Sequence, residues 1–229
     1  MNCLNNNNNN NNQITNNMNK TVKFLGMAIL GLSVVATSCK KDEEVEEPAV
    51  DNTITVSLSK KNNEVVDHWV YYSFDTKAEV SGIDSSNFKT SDKWDIAFHS
   101  RHIRLNGGTS GQGIAEALDA GVVNWSSVTE APESGYSTDV FADSILYAGN
   151  GPTGPIMMGT DLNKVFENAF AFDANTHPPT YSANKNVYVI KTRTGKYAKI
   201  MLTDYYNDKG VSGYITFKYV LNSEGGRNF

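Results

Sequence analysis

Six stretches of this chain have strand length and strand chemistry, and almost nowhere do apolar residues recur at helical spacing. Thr53 to Leu58 alternates, with Ile54, Val56 and Leu58 on one side and polar residues on the other. Val65 to Phe74 and Trp94 to Phe98 are dense in β-branched and aromatic residues, separated by the polar break Ser85 to Lys93. Val187 to Thr192, Tyr197 to Thr203 and Tyr214 to Leu221 follow near the C-terminus, with Thr194-Gly195-Lys196 and Asn207 to Gly213 as turns, and this spacing predicts an antiparallel meander. Ile114 to Ala120 is a modest helix candidate, and Asp161 to Ala171 suits a short helix or a strand. The glycine clusters at 107–113 and 150–155 predict irregular loops at a sheet rim. No fixed repeat is visible, which removes solenoids and propellers. The expected class is all-β, mostly antiparallel, with at most one or two short helices.

The N-terminal part follows other rules. Asn5 to Asn12 is a low-complexity run with no apolar face to bury, and residues 1–17 are expected to lie upstream of a true start at Met18. Lys20 and Lys23 then lead into Phe24 to Ala36, 13 largely apolar residues. That is short of the roughly 20 needed to span a bilayer and suits the core of an export signal, 18–38. Ala36-Thr37-Ser38-Cys39 resembles the lipobox of bacterial lipoproteins, with Cys39 as the lipidated first residue of the mature chain. More than one acyl chain there would give stable attachment, so the membrane is expected to be met through the lipid alone. Residues 40–52 form an acidic tether, in which Lys40-Lys41-Asp42-Glu43-Glu44 resembles the surface-export signal of Bacteroidetes lipoproteins. The expected location is the outer membrane, facing outward; a plain hydrophilic spacer facing the periplasm is the alternative. Residues 53–229 make the folded domain.

Composition narrows the chemistry. A net charge of -5, a pI near 5.4 and no cluster of Lys and Arg argue against a nucleic-acid surface. Cys3 and Cys39, the two cysteines, both precede the domain, which excludes disulfide frameworks and thiol catalysis within it. Gly111-Gln112-Gly113-Ile114-Ala115-Glu116 lacks the third glycine and the βαβ context of a dinucleotide site, and neither a phosphate loop nor a Gly-x-Ser-x-Gly elbow occurs. His99 and His102 would lie on opposite faces of a straight strand and could not share a metal unless a bend intervenes. Nothing here argues for an enzyme.

Trp69-Val70-Tyr71-Tyr72-Ser73-Phe74, Trp94-Asp95-Ile96-Ala97-Phe98-His99 and the run from Ile103 to Gly111 resemble successive signature segments of the HmuY-like family. Gly135-Tyr136-Ser137-Thr138-Asp139-Val140, Pro179-Thr180-Tyr181, Lys199 to Tyr205 and Gly213 to Tyr219 continue the likeness in order, over most of 53–221. The resemblance implies a lipid-anchored, mostly β protein with hairpin fingers that binds haem between them and passes it to a TonB-dependent outer-membrane receptor.

In that family two histidines or two methionines hold the iron. The resemblance puts the first ligand just after Asn150 to Pro155, at Met157 or Met158, whose thioethers are soft donors suited to haem iron. The second should precede Pro179-Thr180-Tyr181, where the matching residue is Ala174, which ligates nothing; His177, three residues on, is the nearest donor. Phe166, Phe170, Phe172 and Ile156 are candidate walls, and Arg101 and Arg104 candidate propionate partners. The competing reading has Met157 and Met158 filling the core and His177 solvated in a turn. The chain would then be a module without haem ligation, holding another small ligand, a glycan or a protein partner.

Overall fold

The computed structural model describes residues 52–59 and 68–229. Cys39, the expected signal 18–38 and the first part of the expected strand 65–74 lie outside the described residues. Among the described residues no helix is long and apolar enough to cross a membrane.

Among the described residues thirteen strands make four antiparallel sheets. Strands β1 (Ile54–Ser57), β6 (Glu116–Asp119), β11 (Tyr188–Lys191), β12 (Tyr197–Tyr206) and β13 (Ser212–Asn222) form a five-stranded sheet in the order β1-β13-β12-β11-β6. Strands β2 (Val70–Ser73), β3 (Ala78–Val80), β4 (Ile96–His99) and β5 (His102–Leu105) form a second, ordered β3-β2-β4-β5. Two further ribbons are the hairpins β7 (Val140–Gly151) with β8 (Gly154–Leu162) and β9 (Phe170–Asp173) with β10 (Thr180–Ala183). The expected C-terminal meander is present as β11-β12-β13.

The main core lies between the two larger sheets. Val70, Tyr72, Ile96, Phe98, Ile103 and Leu105 from one meet Tyr188, Ile190, Ile200, Leu202, Phe217 and Tyr219 from the other. Phe217 joins them, with its ring 5.4 Å from Tyr72 edge-on and 5.4 Å from Phe98 in a stack. The smaller cluster of Trp69, Tyr71, Phe88, Trp94 and Ala97 covers the opposite face of β2 and β4. Trp94 donates its indole N–H to the Phe88 carbonyl at 2.9 Å. Burial on both faces explains why 69–74 and 94–98 are dense in apolar residues with no alternation, whereas β1, covered on one face, alternates.

Three expectations are corrected. The helix candidate 114–120 contains β6, an edge strand paired with β11 in the register Leu118↔Val189 and Ala117↔Ile190; sheet pairing and burial of Ala117 override a local preference that is weak in any case. The segment 161–171 is split: β8 ends at Leu162, a single 3-10 turn Lys164–Phe166 follows, and β9 starts at Phe170. Asn163 caps the turn by accepting from the Val165 N–H at 3.1 Å. The stretch 150–155 is the closed end of a hairpin, since Asn150↔Pro155 and Gly151↔Gly154 still pair and Pro152-Thr153 makes the turn. Gly154, at φ 135, takes a conformation other residues rarely adopt.

Replacing Phe217 by Ala should cost about 3–5 kcal/mol, because it empties the junction between the sheets. Urea unfolding monitored by tryptophan fluorescence measures it.

Candidate ligand cleft beside the hairpin finger

Among the described residues the β7–β8 hairpin carries the densest group of exposed large apolar side chains. Phe141, Tyr147, Ile156, Met157 and Met158 are 60%, 55%, 48%, 42% and 48% exposed. Apolar side chains gathered in this way on one projecting element mark a contact or ligand surface. The packing expected of Met157 and Met158 under the core reading is therefore absent. Being consecutive on a strand, they point to opposite faces, and the register pairs Met157 with Tyr147 and Met158 with Leu146.

Each methionine enters a separate cleft. On one face Met157 lines a cavity of about 430 Å³ with Tyr147, Tyr181, Arg101 and His102. On the other Met158 lines one of about 240 Å³ with Leu146, Phe141, Trp69 and Arg104. His177 is exposed in the turn between β9 and β10, as is Ala174, and neither lines these two cavities.

The floor of the larger cleft is the β4–β5 hairpin. Ser100-Arg101 is a two-residue reversal with Ser100 at φ 52, so His99 and His102 pair across it and share a face. This corrects the straight-strand expectation, and the bend is the physical reason. Ser100 Oγ lies 3.0 Å from Tyr205 Oη. Glu167, just after the 3-10 turn, holds the other side, with Oε1 3.0 Å from His102 Nδ1 and its carbonyl accepting from Arg101 Nη1 at 3.4 Å. Tyr181, on β10, forms the far wall; its ring is 5.0 Å from Phe172 and 4.6 Å from Tyr205.

The other wall and propionate candidates fall differently. Phe166 and Phe170 belong to the main core, so they build no wall, while Phe172 and Ile156 stay exposed on the two hairpins. Arg101 borders the larger cleft, but Arg104 is buried, its guanidinium carbon 3.5 Å from the Trp69 ring centre and 4.3 Å from that of Phe88, with Nη2 donating to Thr160 Oγ1 at 2.8 Å. Burial lowers its pKa to about 10. Sequence reasoning missed Tyr147 and Glu167, named Tyr181 only as a motif residue, and set His102 aside for want of a bend. The β-hairpin signal around Ser100-Arg101 would have found His102; the others are brought in from distant strands. Among the described residues no group of three His, Cys, Asp or Glu side chains could hold a bare metal ion.

The finger is rooted by Asp139, directly before β7. Its Oδ2 accepts from the Leu105 N–H at 2.9 Å and from Ser110 Oγ at 2.6 Å. Desolvation outweighs these bonds and pushes its carboxyl up to about 7.

Two sheets packed face to face, with two ribbons flanking an open cleft, define an all-β binding scaffold. The HmuY protein family model matches residues 66–219, well over half the chain, and the chain belongs to the HmuY family. A Bacteroides vulgatus protein assigned as HmuY-like and heme binding is 26% identical, with a TM-score of 0.57 over 74% of this chain and 91% of its own. The apo HmuY analog of Tannerella forsythia is 22% identical, with a TM-score of 0.57 over 76% of this chain and 98% of its own. A Bacteroides fragilis protein described as a lipoprotein, 20% identical, shares the fold with a TM-score of 0.57 over 76% and 91% of the two chains. No curated protein matches the chain.

The Asp139 carboxyl makes a prediction about pH. An unfolded aspartate titrates near 4, so between about pH 4 and 7 the unfolded chain has released a proton that the folded chain keeps. Stability on this account is greatest below the unfolded value and falls as pH rises toward about 7. Asp139→Asn removes the dependence. Relative to that variant, the wild type should lose a few kcal/mol between pH 4 and pH 7 in paired urea titrations.

Proposed function

We propose that this protein binds haem in the cleft between the two hairpins, with the Met157 sulfur directed at the iron. The observation that carries the reading is the exposure of Met157 beside Tyr147 and Tyr181, in a cavity of about 430 Å³, within the usual range for small-molecule sites. Two tyrosine rings suit the faces of a flat apolar macrocycle, a thioether suits its iron, and the Arg101 guanidinium at the rim suits a propionate. Membership of the HmuY family and the likeness to a protein assigned as heme binding support it. Met158, on the other face, is the lesser candidate.

Cys39 carries the lipid that holds the domain at the outer membrane, facing outward, and bound haem passes to a TonB-dependent receptor. The support is Ala36-Thr37-Ser38-Cys39 with the acidic tether behind it. Ala174 at the expected second ligand position favours one competing reading, a module on the same scaffold that holds another small ligand, a glycan or a protein partner without haem ligation.

Titrating haemin into the full chain separates the two. Coordination gives a saturable, shifted Soret band. Met157→Ala should weaken binding by more than about tenfold, the lower bound for losing even an outer-shell partner of a metal, while Met158→Ala leaves it nearly unchanged. An unshifted Soret band with the wild type refutes haem ligation, and equal behaviour of both variants refutes the assignment of Met157.

A further inference from the structure

Six-coordinate, low-spin haem held by a methionine on one side takes a second donor on the other, and His177 does not line the cleft that Met157 enters. We propose that Nε2 of His102 is that second axial donor, an inference that rests on the haem reading above.

Three observations carry it. First, His102 lines the same cavity as Met157, although the two belong to different sheets. Second, its ring is already oriented: Nδ1 lies 3.0 Å from Glu167 Oε1, so a neutral imidazole donates its Nδ1 proton to the carboxylate and keeps the lone pair on Nε2. Nε2 itself takes no hydrogen-bond partner among the described residues. A carboxylate behind an imidazole is the arrangement that fixes the tautomer and raises the basicity of metal-binding histidines. Third, the backbone beneath it is rigid. His102 starts β5, pairs with His99 across a two-residue turn, and is followed by the buried Ile103, Arg104 and Leu105.

The neighbouring His99 is the weaker candidate, because its ring packs against Trp69 at 5.4 Å, whereas it is His102 that the Glu167 carboxylate bonds. Sulfur opposite imidazole is an established axial pair for haem and raises the reduction potential of the iron. A donor in the β4–β5 turn also accounts for the non-ligating residue at position 174, since the second ribbon is then required for its tyrosine and not for a ligand.

The test is the spectrum of the haemin complex of the full chain. The wild type should give a low-spin ferric spectrum with the far-red charge-transfer absorption of methionine sulfur on iron. His102→Ala should turn high-spin while still binding, exogenous imidazole should restore the low-spin form, and His177→Ala should match the wild type. Glu167→Gln keeps the imidazole and serves where His102→Ala does not fold; it should weaken binding by about 10- to 100-fold and raise the reduction potential. The inference is overturned if His102→Ala stays low-spin with the sulfur band, if His177→Ala loses that state, or if Glu167→Gln alters neither affinity nor potential. In those cases haem binding itself stands. A wild-type chain that leaves the Soret band unmoved removes both readings.

Discussion

The packing of two antiparallel sheets through Tyr72, Phe98 and Phe217 is the contact on which every other part of the molecule depends. β2 and β4 are covered on both faces, by the main core on one side and by Trp69, Phe88 and Trp94 on the other. A strand enclosed in this way cannot slip by one residue, because a slip would exchange the two apolar sets and their partners. The β4–β5 turn inherits that rigidity, and so do the two histidines that flank it.

The β7–β8 finger lives under different physics. A two-stranded ribbon is marginal alone, so its stability comes from its root. There Asp139 is tied to Leu105 and Ser110, and Arg104 is enclosed by two aromatic rings. Both are charged groups that burial penalises, which concentrates cost at the base of the element whose far end exposes Tyr147, Ile156 and Met157. The same chain segment thus combines a costly polar anchor with an apolar surface that only a ligand or partner would cover.

Much of this was legible in the sequence, and the parts that were not share a cause. Strands appeared wherever the side chains alternate or crowd, because period two is local. The edge strand β6 was hidden in a segment of helix-forming residues, and its pairing with β11 draws on residues about seventy positions away. Met157 was named because the family resemblance puts the first ligand just after the Gly/Pro corner. Tyr181 was visible as a motif residue but not as a wall, since its place depends on how β10 lies against Tyr205 and the Ser100 turn. Phe166 and Phe170 looked like Phe172 in the sequence, yet the first two face the core and the third faces solvent.

What the sequence determined by itself is the class of fold and the meander at its C-terminal end. These follow from local periodicity and from backbone limits at glycine and proline. Only the tertiary structure decided that consecutive methionines serve different clefts, that His99 and His102 share a face, and that Glu167 stands behind one of them. The reason is that side-chain direction on a strand is known only once the strand has its register, and register is set by contacts between residues far apart in the chain.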